Sequence, residues 1–150
     1  MEYQEALKYA MDLCSRQERC RSEIEEKLSS RKIPVTEIEK ILSSLEKENF
    51  INESRYAGSY TRDKLRFNHW GKIKIRHMLR GKKIPGLIID EALGAIDPDD
   101  YAGILKEELL KKRNTLRPGS PLNLKGRLFR FAQQRGFETG LIYSVLEEIL

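Results

Sequence analysis

Two runs of cations, each at the spacing of one helix face, carry the chemistry of this sequence. Arg55, Ser59, Arg62 and Arg66 stand at offsets 0, 4, 7 and 11, and Lys72, Arg76, Arg80 and Lys83 at offsets 0, 4, 8 and 11. At about 100° per residue, each set falls on one narrow stripe of a helix. Lys74 and Lys82 add charge beside the second stripe, and residues 71–85 contain no carboxylate. Like charges one turn apart cost a helix roughly 0.2–0.5 kcal/mol per pair, and no interleaved acid offsets it here. A face of this kind attracts phosphates or an acidic protein groove. The plainer reading is a solvated helix surface. Two consecutive stripes, with only 2 carboxylates against 10 cations in residues 55–90, favour a binding surface.

The residues of catalytic chemistry are not gathered in this way. His69 and His77 are far from any Asp, Glu or Cys cluster in the sequence and read as exposed or partly packed. The phosphate-cradling glycine loop, the dinucleotide fingerprint and the nucleophile elbow are all missing. Asp99–Asp100 and Glu107–Glu108 fit the start and the exposed face of a helix rather than a Mg²⁺ site. Trp70, at a helix junction, reads as core or hinge packing rather than as a base-stacking platform. The expectation is a protein that is not an enzyme and uses no metal or cofactor.

Charge is unevenly spread. Residues 1–54 carry 9 cations and 12 anions, and residues 91–150 carry 9 of each, so the net charge of +5 comes from the middle third. The chain has 150 residues, 39% hydrophobic and 34% charged, enough apolar surface for a core. No apolar run approaches the ~18 residues of a membrane span, and the acidic, amphipathic start does not read as a secretory signal. Cys14 and Cys20 lack the paired spacing of a zinc site and suit a reducing compartment, so a cytoplasmic location is expected.

The elements that hold the stripes are written three times. Ala6, Tyr9, Ile24, Leu28, Ile33, Pro34, Ile38 and Leu42 recur, 51 residues on, as Ala57, Tyr60, Ile75, Leu79, Ile84, Pro85, Ile89 and Leu93. A third copy, shifted by 104, places Leu128, Arg135, Phe137, Ile142, Val145 and Leu146 on Ile24, Arg31, Ile33, Ile38, Ile41 and Leu42. Each copy reads as three helices by its 3.6-residue apolar period, and nothing alternates with period two. Expected features are a capping box at Thr36 and Glu39, Pro34 as the stop of the second helix, and Asp97–Pro98 as an N-cap with proline behind it. Gly136 should be a C-terminal cap of positive φ, and a Pro/Gly-rich loop should span Asn114–Asn123. Ala57, Tyr60 and Phe67 should face the core from one helix, and Ile75, Met78 and Leu79 from the next. The fold class is all-α: three tandem three-helix repeats, residues 1–52, 53–96 and 97–150, in an elongated, curved molecule.

Three segments together carry a family likeness: ALKYAMDLCSRQERCRSEIEEKL, then INESRYAGSYTRDKLRFNHWGKIKIRHMLRGKKI, then KGRLFRFAQQRGFETGLIYSVL. In this order they resemble the RecX family, bacterial regulators of the RecA recombinase. Glu53 stands where that family has Asp, Cys20 where it has a capping serine, and Lys83 where it has a glycine. The resemblance implies a tandem three-helix-repeat protein that binds the RecA filament on single-stranded DNA, lodges in its groove, restrains its growth, and lowers its recombinase, ATPase and coprotease activities; a monomer is expected. By motif match, Arg55, Arg62, Lys72, Arg76 and Arg80 are the first candidates for RecA or DNA contact. Arg66, Lys74, Lys82 and Lys83 follow. Alternatives are a nucleic-acid-binding helical repeat protein that acts without RecA, and an adaptor for an acidic protein.

Overall fold

The computed structural model of the chain describes residues 1–116 and 121–150. Among the described residues there are nine helices and no strand: α1 (Tyr3–Arg16), α2 (Arg21–Ser30), α3 (Val35–Lys47), α4 (Glu53–Arg66), α5 (Lys72–Gly81), α6 (Gly86–Gly94), α7 (Pro98–Thr115), α8 (Pro121–Gln134) and α9 (Thr139–Ile149). The expected loop at 114–123 is shorter than its Pro/Gly content suggested. Asn114 and Thr115 close α7, Pro121 opens α8, and residues 117–120 lie outside the described residues.

The second helix of each triple ends in the same way. Lys32 and Ile33 donate to Ser29 and Leu28, Lys83 and Ile84 to Arg80 and Leu79, and Gly136 and Phe137 to Gln133 and Ala132. These paired bonds are Schellman caps, which need a left-handed residue at the turn. Lys32 (φ 60°), Lys83 (φ 62°) and Gly136 (φ 93°) fill that position. Only Gly136 does so without the cost of a Cβ. Pro34 therefore does not stop α2, which has already closed at Ser30; it is the N-cap of α3. This also displaces the expected capping box. Thr36 lies inside α3, which starts at Val35 with no side-chain cap, and Glu39 bonds Arg21 instead. Asp97 does cap α7, accepting from Asp100 N–H at 3.0 Å ahead of Pro98.

The chain forms two compact units. The first contains Met1–Ser59 and Leu79–Ile89, the second Tyr60–Met78 and Asp90–Leu150. In the first, Ala6, Ala10, Ile24, Leu28, Ile38, Ile41, Leu42 and Leu45 bury a common core, with Tyr3, Leu7 and Phe50 packed against it. Each fully buried Leu or Ile contributes roughly 1.5–3 kcal/mol. In the second, Tyr101, Leu105, Leu109, Leu128, Ala132, Phe137, Ile142 and Leu146 are buried.

Two expected core residues are not there. Phe67 is 77% exposed: the buried stripe of α4 runs through Ala57, Thr61 and Leu65, and Phe67 follows the helix end, about 120° from the centre of that stripe at 100° per residue. Met78 is exposed because Ile75 and Leu79, one turn apart, already fill the inward face of α5. Glu108 reverses the reading of an exposed pair. It is only 9% exposed, whereas Glu107 stands in solvent and pairs with Lys111.

Candidate functional site

The start of α5, the helix that bears most of the candidate cations, is seated by groups distant in sequence. An α-helix leaves its first N–H groups without internal partners. Here Gly71 N–H donates to Arg135 O at 2.7 Å, Lys72 N–H to Tyr101 Oη at 2.9 Å, and Ile73 N–H to Gly136 O at 3.0 Å. Tyr101 Oη donates in turn to Glu138, and its ring packs 5.3 Å from that of Phe137. Burial, and then the Glu138 hydrogen bond, push the Tyr101 hydroxyl far above the usual phenol range, so it stays protonated. Arg135 Nη1 closes the junction on Asn68 O at 2.9 Å.

The nine candidate cations fall into three groups by partner. Arg55, Arg76 and Lys82 are paired. Arg55 Nε reaches both Glu18 oxygens at 2.8 and 2.9 Å, and its Nη2 donates to Asn49 O and Phe50 O past the end of α3. That hydrogen bond to Glu18 raises the Arg55 pKa further. Arg76 Nη1 meets Asp90 Oδ1 at 2.6 Å, and Lys82 Nζ stands 3.4 Å from Glu23 Oε2. Burial pushes the Glu23 carboxyl up, but the Cys20 N–H and the Lys82 ammonium outweigh it and leave the pKa lowered.

Lys72 and Lys74 form the second group, over aromatic rings. Lys72 Nζ lies 4.8 Å from the Tyr101 centroid and Lys74 Nζ 4.5 Å from that of Trp70. The third group has neither. Arg62 and Arg66 in the second unit, and Arg80 and Lys83 in the first, are exposed and make no ion pair among the described residues. The structure thus sorts the predicted cations into tied, ring-seated and free ones, and takes Lys83 off the expected helix stripe, because α5 ends at Gly81 and Lys83 lies in the left-handed turn beyond it. It also adds Lys64, absent from the sequence reading, whose Nζ is 4.9 Å from the Trp70 centroid. Half-buried Trp70 is a packing platform for two ammonium groups.

His69 has a partner the sequence did not reveal. Its Nε2 lies 3.3 Å from Glu108 Oε1, and the residue takes φ 54° in the link between α4 and α5. Among the described residues no group of three or more His, Cys, Asp or Glu is placed to hold a metal ion, and no helix is long and apolar enough to cross a membrane. Cys14 and Cys20 are free thiols whose pKa values are raised by burial.

Comparison with known proteins places this architecture. Residues 6–45, 52–93 and 99–146 match, in order, the family models described as the first, second and third three-helix domains of RecX. A regulatory protein RecX from Chlorobaculum tepidum is 32% identical over 145 residues, covering 97% of this chain and 88% of that protein. The RecX of Clostridium acetobutylicum is 34% identical over 131 residues, but the chain spans only 60% of its length. The crystal structure of RecX from Lactobacillus salivarius superposes with a TM-score of 0.90 at 25% identity, covering 97% of this chain and 95% of that one. A second RecX crystal structure gives 0.89 at 27% identity, covering 97% and 71% respectively. With its three domain matches in order and a relative of nearly equal length at this identity, the chain belongs to the RecX family.

Proposed function

We propose that this chain binds the RecA recombinase filament on single-stranded DNA and restrains its growth, lowering its recombinase, ATPase and coprotease activities. Its RecX relatives are named regulatory proteins, which supports a regulatory role. The observation that carries the reading is the set of free cations. Arg62, Arg66, Arg80 and Lys83 hold exposed charge that no neighbouring carboxylate neutralises among the described residues. Such side chains release counterions from phosphates, or meet an acidic protein surface, without breaking an internal bond first. Lys72 and Lys74 lie next in order, held over rings. Arg55, Arg76 and Lys82 must exchange an internal carboxylate for an external one and contribute least. The protein acts in the cytoplasm as a monomer, by occupancy and not by catalysis, with no cofactor or metal.

The test is electron microscopy of RecA filaments grown on single-stranded DNA with increasing amounts of the protein. Shortened filaments are expected. Unchanged filament length at every stoichiometry would sink the reading. Equally strong, salt-dependent binding to bare DNA, with no effect on filaments, would favour a nucleic-acid binder acting without RecA.

A further inference from the structure

In the first two three-helix domains, one face of the second helix receives a turn from the domain that follows. Within the first compact unit, Ser22 Oγ donates to Lys82 O at 2.6 Å, and the turn Gly81–Lys83 faces Glu25 and Glu26 across an open groove of about 630 Å³. Within the second unit, Gly71 and Ile73 donate to the carbonyls of Arg135 and Gly136. Both times the group received is the carbonyl end of a helix, the negative pole of its dipole.

The repeat register carries this face into the third domain, but not its donors: Gly126 replaces the Ser22 hydroxyl, and its N–H, equivalent to that of Ile73, lies inside α8, which starts at Pro121. Ser22, Glu25 and Glu26 correspond to Gly126, Phe129 and Arg130, and Arg21 and Glu39 to Lys125 and Tyr143. These five third-domain residues line an open pocket of about 410 Å³, and no turn of the described chain is seated there. Its chemistry is inverted. The Arg21–Glu39 ion pair, at 2.7 Å, becomes Lys125 Nζ set 6.0 Å from the Tyr143 centroid. Two glutamates become an aromatic and an arginine. Tyr143 is 49% exposed and stacks on Phe129 with centroids 5.0 Å apart. Phe129, Tyr143 and Arg130 are of the residue types enriched at protein interfaces, and the lining holds no acid.

We propose that this face of α8 and α9 docks a protein partner that presents the C-terminal turn of a helix bearing carboxylates. The partner's carbonyls and carboxylates meet Lys125 and Arg130, and an apolar side chain covers Phe129 and Tyr143. A second copy of this chain would bring Arg31 and Lys32 of its first-domain turn against Lys125 and Arg130, but the end of its α9, with Glu147, Glu148 and Leu150, has the occupant's chemistry, so the dilution arm of the test below separates self-association from a partner. The proposal rests on the repeat register and the pocket, and stands independently of RecA.

The test is an NMR titration of the full ¹⁵N-labelled chain with a synthetic Ala-rich helical peptide closing on Leu-Glu-Glu, and with its Leu-Lys-Lys counterpart. The acidic peptide should give saturable shifts at Gly126, Phe129, Arg130 and Tyr143, and the basic one about tenfold weaker binding or none. Arg130→Glu should abolish the shifts. Gly126→Gln should also block the pocket without harming the fold, because a Cβ there meets only Arg130 Nη1, at 3.8 Å. Absence of shifts, or shifts unchanged in both variants, would overturn the proposal. So would oligothymidine that displaces the peptide from these residues, or matching shifts on simple dilution of the chain, which would mark a nucleic-acid site or a self-association site.

Discussion

Gly71 stands so close to the Gly136 carbonyl that it cannot carry a side chain, and Lys74 bars one from Gly136 in turn. A Cβ on Gly71 would lie 2.3 Å from the Gly136 carbonyl carbon, and a Cβ on Gly136 would lie 2.4 Å from Lys74 Cβ. This approach lets the carbonyls of Arg135 and Gly136 reach the first N–H groups of α5. Gly136→Ala combines a clash with backbone and a forbidden φ, and is expected to cost about 2–4 kcal/mol. Urea denaturation measures the loss, and faster amide exchange at Ile73 would place it at this junction.

Lys32 and Lys83 occupy the same turn position as Gly136 with φ near 60°. Lys83→Gly should therefore stabilise the protein, by about 0.5–1 kcal/mol, after the extra chain entropy of glycine is set against the relief of strain. Thermal denaturation should show a midpoint roughly 1–4 °C higher. The same variant removes a free cation, so any weakening of filament binding would appear in a more stable protein and could not be blamed on unfolding.

The repeats make much of this legible from sequence. Ile24, Ile75 and Leu128 mark the second helix of each triple, and all three are fully buried. Asp97–Pro98 and Gly136 act as their types predict, because a cap depends on residues within one turn. The left-handed lysines were hidden, since nothing in a Lys-Ile-Pro string announces positive φ. The partners of the cations were hidden for another reason. Glu18 lies 37 residues from Arg55 and Glu23 lies 59 from Lys82, so only the packed fold brings them together. Glu108 was misread because its neighbour Glu107 is an ordinary surface acid, and one step along a helix turns a side chain by about 100°.

Tyr101→Phe should remove the acceptor of Lys72 N–H and the donor to Glu138, at a cost of about 1–3 kcal/mol. Its pH signature has a definite sign. The hydroxyl pKa is raised in the folded state, so the native protein holds a proton that the unfolded chain loses. That stability is fully present below about pH 10, the unfolded phenol value, and declines as pH rises beyond it. Denaturation midpoints measured between pH 9 and 11 should fall more steeply for the unmodified chain than for Tyr101→Phe.

Arg55 and Arg62 separate architecture from binding on one helix. Arg55→Gln breaks the Glu18 pair and the bonds to Asn49 O and Phe50 O, and should lower stability by about 0.5–1.5 kcal/mol, discounted for its partial exposure. Arg62→Gln should leave stability within about 0.5 kcal/mol, as expected for a partnerless surface residue. Parallel thermal melts decide between them, and equal destabilisation would contradict the sorting of tied from free cations.

The most direct measurement is ATP hydrolysis by RecA on single-stranded DNA, with the unmodified protein and with the double variant Arg62→Glu/Arg80→Glu. The unmodified protein should suppress hydrolysis, and the variant should fail to do so while keeping its helical circular dichroism. Undiminished hydrolysis in the presence of the unmodified protein, or full suppression by the variant, would contradict the account.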